Sequence, residues 1–159
     1  MKYLSLLILL CSLYSRAGEI GIKYGLAAYN QKDSEEVKFI SLEHQTKISN
    51  IVTQKFALGS WLDQNTDIGQ SSSQFAAYSL GIKVVPGPIY LENLFGIALI
   101  SRTDALLSTN FEFTEEIGVG VQDDLGRYIG MSFKHFSNAG IQLPNFGRNF
   151  ILISTGIRL

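Results

Sequence analysis

Two stretches decide the fold: Phe111-Glu112-Phe113-Thr114-Glu115-Glu116-Ile117-Gly118-Val119-Gly120-Val121 and, after a short polar break, Ile129-Gly130-Met131-Ser132-Phe133-Lys134-His135-Phe136-Ser137. In a β-strand, successive side chains point to opposite faces. Phe111, Phe113, Glu115, Ile117, Val119 and Val121 then share one face, against Asn110, Glu112, Thr114, Glu116, Gly118 and Gly120. In the second run Ile129, Met131, Phe133, His135 and Ser137 oppose Tyr128, Gly130, Ser132 and Lys134. One face is bulky and apolar; the other is small, polar or charged.

The same alternation runs outward in both directions. Leu91, Asn93, Phe95, Ile97 and Leu99 oppose Tyr90, Glu92, Leu94, Gly96 and Ala98, and Ile151, Ile153, Thr155, Ile157 and Leu159 oppose Phe150, Leu152, Ser154, Gly156 and Arg158. The pattern predicts strands over 19–30, 36–47, 50–62, 73–85, 88–101, 109–122, 127–138 and 148–159, with no amphipathic helix between them. Soluble strands usually run about five or six residues, whereas strands tilted across a bilayer need about 9–11. Tight connections at Pro86-Gly87-Pro88 and Gln122-Asp123-Asp124-Leu125-Gly126 alternate with longer loops around 63–72, 102–108 and 139–147. The expected fold is all-β, an eight-stranded antiparallel up-and-down transmembrane β-barrel.

Alternation alone does not orient such a barrel. A lipocalin-like soluble barrel would turn the apolar face inward; a membrane barrel would turn it outward and enclose Glu92, Glu112, Glu116, Lys134 and Arg158. The N-terminus favours the second reading. Met1-Lys2, an apolar run from Tyr3 to about Tyr14, and Ser15-Arg16-Ala17 form a secretory signal peptide over 1–17, leaving 18–159 as the barrel domain. The apolar run is short for a spanning helix, which needs about 20 residues. Cys11, the only cysteine, lies in that leader with Leu10 before it, where a lipoprotein signal would place a small residue. The mature chain thus has no thiol chemistry. Export and an even strand count point to a bacterial outer membrane, with outer-membrane lipid around the barrel. A formal net charge of −1 and a charged fraction of only 17% point away from nucleic acid.

Chemistry concentrates at the end of the seventh strand. His135 and Ser137 share a face, and a histidine base beside a serine nucleophile is the minimum apparatus for acyl transfer. The same two residues also suit a polar cap on an apolar band. Asn138-Ala139-Gly140 follows, with an amide and backbone N–H groups that could serve an oxyanion. His44, beside Glu43 but on the opposite face, has no metal-ligand spacing; several of Tyr29, Tyr78, Tyr90 and Tyr128 suit an interfacial aromatic girdle. No nucleophile elbow, phosphate loop or metal cluster is present, and no cofactor is expected.

His135-Phe136-Ser137-Asn138-Ala139-Gly140-Ile141-Gln142-Leu143-Pro144-Asn145-Phe146-Gly147 closely resembles the C-terminal motif of the PagL-type lipid A 3-O-deacylases, eight-stranded outer-membrane barrels. Phe113, Ile117, Gly118 and Gly120 resemble that family's sixth strand, and Tyr90-Leu91-Glu92 with Gly96 is a looser match in the fifth. The resemblance covers roughly 88–159. It implies that His135 is the base, Ser137 the nucleophile and Asn138 the oxyanion residue of an esterase acting on lipid A in lipopolysaccharide. Pro144, Asn145 and Gly147 then shape the loop. Where the family has its glutamate, this chain has Asn149. Glu115 is the compensating candidate acid: if Val121 pairs with Ile129, Glu115 stands opposite His135, and a one-step slip would put Phe113 there. The family also carries an acid at this strand-six position. The alternative is a weakened or non-catalytic barrel with a structural or lipid-binding role. A homodimer is one assembly compatible with either.

Overall fold

The computed structural model describes residues 18–28, 37–62, 72–103 and 106–159. The expected signal peptide, Tyr29 and most of the 63–72 loop lie outside them. The eight strands are β1 (Glu19–Ala27), β2 (Lys38–Lys47), β3 (Val52–Leu62), β4 (Ser72–Val84), β5 (Ile89–Ile100), β6 (Phe111–Gln122), β7 (Arg127–Ser137) and β8 (Arg148–Arg158). Each pairs antiparallel with its sequence neighbour, and β8 returns to β1, from Glu19↔Arg158 to Ala27↔Phe150, closing the barrel. The predicted segments match these strands to within a few residues.

Parity is now oriented. Ile22, Tyr24, Leu26, Ile40, Leu42, Leu80, Ile82, Phe95, Ile97, Leu99, Ile117, Val119, Met131, Phe133, Ile151 and Ile153 are all exposed on the outside. An apolar band of this extent on a closed barrel belongs in lipid, where closure leaves no backbone donor or acceptor unpaired. The soluble reading, with this face inward, is excluded.

The interior has two storeys. In the middle, Lys23 and Lys55 each reach Glu43 at 3.2 and 3.3 Å and Glu92 at 3.7 and 3.1 Å. Glu116 joins Lys23, lies 3.5 Å from Lys55 and 3.2 Å from Lys134. Lys23, Lys55 and Lys134 thus balance Glu43, Glu92 and Glu116, all almost wholly buried. Lys83 pairs separately with Glu19. Toward the long-loop end, Phe39, Trp61, Phe75, Phe136, Phe150, Leu107 and Leu152 fill the lumen with apolar volume.

That storey corrects a simple apolar-out, polar-in reading, because the large aromatics Trp61 and Phe150 are inside. Tyr90 and Tyr128 are not girdle residues either. Both point inward, with ring centroids 5.9 Å apart, and Lys83 lies 4.5 and 5.2 Å from them. Tyr78 is outward, its hydroxyl donating to Gln54. At the opposite end from the long loops, Gly126 closes the β6–β7 turn at φ +77, and a Cβ there would meet Arg158 Cβ at 2.6 Å. In the same turn, the hydrogen bond from Arg127 holds the exposed Asp123 carboxyl below its ordinary value.

Neighbouring glutamates on β6 test the parity. Glu116→Leu removes the partner of buried lysines and should cost about 3–5 kcal/mol, whereas Glu115→Gln on the outer face should stay within about 0.5 kcal/mol. Urea unfolding from lipid vesicles measures both; equal effects would contradict the interior assignment.

Candidate active site

β7 ends where the lipid-facing band meets the long loops, and parity puts His135 and Ser137 on its outer face. Closure then supplies neighbours from both sides: Glu115 of β6 and Asn149 of β8 lie directly in register with His135. The β6–β7 pairing is the one expected, Val121 with Ile129. His135 Nδ1 is 2.6 Å from Asn149 Oδ1. A carbonyl oxygen only accepts, so Nδ1 carries the proton and donates it, leaving the Nε2 lone pair as the base.

The imidazole also rests on backbone. Gly147 has φ +73, and a Cβ on it would lie 2.5 Å from His135 Cε1 and 3.3 Å from Nε2. Only glycine gives both the left-handed conformation and the space. The sequence marks Gly147 as a loop-shaping residue; the structure places it against the His135 imidazole.

Ser137, the last residue of β7, is half-buried and in register with Phe113. Among the described residues its hydroxyl is not hydrogen-bonded to His135. Residues two apart on a strand are spaced by about 6.5–7 Å, so contact depends on their rotamers.

Asn138 is held within the loop. It is fully buried, its Nδ2 donates to Ser108 Oγ at 3.0 Å and Gln142 O at 2.8 Å, and its Oδ1 accepts from Gly140 N at 2.9 Å. With both amide hydrogens committed inside the loop, the side chain has none left for an oxyanion. The neighbouring N–H groups are similarly engaged: Asn138 N donates to Asn145 Oδ1 and Ile141 N to Asn138 O. Ala139 N–H alone in this run has no partner among the described residues. Ala139 is exposed and held at φ 54, a left-handed conformation costly for a residue with a Cβ.

Glu115 is half-buried beside His135, without a hydrogen bond or ion pair among the described residues. His44 is outward and half-buried on β2, remote in register from this cluster. Among the described residues, no group of three or more His, Cys, Asp and Glu side chains is gathered as a metal site requires.

The profile of the lipid A 3-O-deacylase (PagL) family matches residues 24–158. The chain belongs to that family. A 68-residue stretch is 34% identical to the lipid A deacylase PagL of Bordetella bronchiseptica, covering 41% of this chain and 38% of that relative's length. The crystal structure of the outer membrane enzyme PagL superposes with a TM-score of 0.70 at 18% identity, over 89% of this chain and 99% of that one. The Yersinia pestis outer membrane protein Ail, determined in a phospholipid bilayer nanodisc, gives 0.55 at 13% identity with the same coverage. The second likeness shows that this barrel architecture is shared beyond PagL, so the fold alone does not define the site. This chain is an outer-membrane barrel of the PagL kind.

Asn149 contacts Nδ1 of His135 but supplies no charge. The tautomer is directly measurable. Imidazole 15N shifts should report His135 protonated at Nδ1 in the folded protein, and Asn149→Leu should yield a mixture of tautomers. An unchanged spectrum would mean that Asn149 does not orient the ring.

Proposed function

We propose that this chain hydrolyses the ester of the 3-O-linked acyl chain of lipid A, working in the outer leaflet with Ser137 as nucleophile and His135 as base. The observation that carries this reading is the 2.6 Å contact fixing His135 Nδ1 on Asn149, with Ser137 on the same lipid-facing edge. An esterase for a soluble substrate has no use for a nucleophile on this side of the barrel wall.

In the reaction, Ser137 Oγ turns to His135 Nε2, gives up its proton and attacks the ester carbonyl carbon. The tetrahedral oxyanion is met by the unpartnered Ala139 N–H. Asn138 serves behind it, holding the loop that presents that donor. Protonated His135 passes its proton to the departing sugar oxygen, leaving an acyl-serine. Water, deprotonated by His135, then releases the fatty acid and restores Ser137. Every step uses this chain's own residues.

The substrate's tail also has a place. Below His135 on the same outer face, Leu91, Ile117, Val119, Met131, Phe133 and Ile151 line a shallow apolar groove of about 390 Å³. It starts one residue pair from the base, at Phe133 and Ile151, and suits an acyl chain whose ester lies at His135.

Asn149 supports a second reading, a weakened or non-catalytic barrel. Orientation by a carbonyl keeps the tautomer, but the imidazolium formed in the transition state loses a neighbouring carboxylate. Loss of that charge can lower turnover by orders of magnitude. Glu115, directly across on β6, is the one carboxylate in register with His135 that can compensate.

Mass spectrometry of lipid A from cells expressing the protein separates the readings. One hydroxyacyl chain should be lost, and Ser137→Ala should retain it. Unchanged lipid A with correctly inserted wild-type protein would refute the hydrolase. Asn149→Glu should raise turnover, and Glu115→Gln should lower it as severely as His135→Ala if Glu115 supplies the charge. Near-normal activity in Glu115→Gln would remove it from the site.

A further inference from the structure

The β5–β6 connection makes a series of contacts that the proposed chemistry does not use directly. Ser108 Oγ donates to Gln142 O at 3.0 Å and accepts from Asn138 Nδ2 at 3.0 Å. Asn138 Nδ2 donates to the same Gln142 O at 2.8 Å, so hydroxyl, amide and carbonyl close a triangle. Two residues back, Leu106 O accepts from Phe146 N at 3.2 Å and Gly147 N at 3.3 Å. Between them Leu107 forms a bridge with Asn145 and sits fully buried in the cluster that includes Phe136 and Phe150.

One short segment thus grips both halves of the site. Leu106 and Leu107 hold the end of the β7–β8 loop where Gly147 supports the imidazole. Ser108 holds the other end, where Asn138 fixes Gly140 and, between them, the left-handed Ala139. Leu107 anchors the segment in the lumen, so the grip is referenced to the barrel and not merely to another loop.

Resting on the hydrolase reading above, we propose that Ser108 is a positioning residue for this reaction. Its hydroxyl sets the Asn138 amide, the amide sets the Ala139 backbone, and Ala139 N–H meets the oxyanion. Ser108 touches neither substrate nor reacting atoms. Its effect belongs to the rate of the chemical step and not to substrate binding, because Ser108 is not among the residues that line the acyl groove.

The experiment uses the full-length protein in vesicles containing lipid A, comparing wild type, Ser108→Ala, Ser108→Thr and Ser137→Ala. Misplacing a reacting group by an ångström can cost about 100-fold, so Ser108→Ala should lower kcat by about 10- to 100-fold with KM within about twofold. Ser108→Thr, which keeps the hydroxyl, should recover most of the loss. Backbone amide hydrogen exchange at Gly140 and Ile141, whose N–H groups both bond to Asn138, should accelerate in Ser108→Ala while β6 and β7 exchange as in wild type. Normal kcat in Ser108→Ala, a loss shared equally by Ser108→Thr, or a loss lying wholly in KM would overturn the assignment. If wild type and Ser137→Ala are equally inactive, the hydrolase reading falls. The exchange measurement then still decides whether Ser108 holds the loop, and unchanged exchange at Gly140 and Ile141 overturns the clamp itself.

Discussion

In hydrocarbon a backbone N–H or C=O left unpaired has no water to turn to, and each such group costs several kcal/mol. The pairing of β8 with β1 removes the two edges that an open sheet of these strands would present. Once the ring is closed, every strand has a register on both sides and cannot slip by one residue without exchanging its lipid face for its lumen face. That constraint places the chemistry. His135 faces lipid because Phe133, Met131 and Ile129 do, and Glu115 and Asn149 stand beside it because β6 and β8 have no freedom to stand elsewhere.

Closure creates the second problem, a lumen that must be filled. The middle storey does this with lysines and glutamates in equal number, with Lys23, Lys55, Glu43, Glu92 and Glu116 each near more than one partner and Lys134 on Glu116. A balanced network compensates buried charge as no single pair would, and it leaves the upper storey free to be apolar. Phe136 and Phe150 are the inward neighbours of His135 and Asn149 in sequence, with centroids 6.0 Å apart and rings perpendicular. The strand positions that carry His135 and Asn149 outward are therefore locked inward by aromatic packing. Lys134 over Phe136 at 5.6 Å and Arg148 over Trp61 at 6.0 Å contribute cation–ring contacts to the same storey. His135, Ser137 and Asn149 thus sit on strand ends with a packed core behind them, with the β7–β8 loop closing over them at Gly147.

What could be read in the sequence follows from which forces are periodic. Strand number, parity and the opposition of Glu115 to His135 all rest on the two-residue repeat, and Ile129, Met131 and Phe133 display it plainly. The direction of the apolar face needed information that alternation does not contain; the leader supplied only an indirect argument. Tyr90 and Tyr128 mislead because aromatics suit both an interface girdle and a lumen. What separates the two is parity in strands where small residues interrupt the pattern. The holds that Ser108 and Leu106 place on Asn138 and Gly147 were illegible for a different reason. They arise from contacts between two loops far apart in the chain, and no local spacing encodes them. The partners of the Asn138 amide belong to the same class, since a motif identifies a position and not the contacts of its side chain.

Asn149 then separates two things that a carboxylate at this position would deliver together. Geometry is one: an amide carbonyl accepts from Nδ1–H in the place a carboxylate oxygen would, and the 2.6 Å contact is short enough to fix the tautomer. Charge is the other, and it matters only when the imidazole becomes cationic. In water a missing carboxylate would be screened. At the edge of a lipid band the effective dielectric is lower, so the interaction with an imidazolium is correspondingly larger. The half-buried Glu115 lies across the strand at the distance of a directly opposed pair, about 4.5–5.5 Å between Cβ atoms. It makes no ion pair that would commit its charge elsewhere among the described residues. The contact that orients the ring lies on β8 and the carboxylate in register with it on β6, so geometry and charge sit on two different strands.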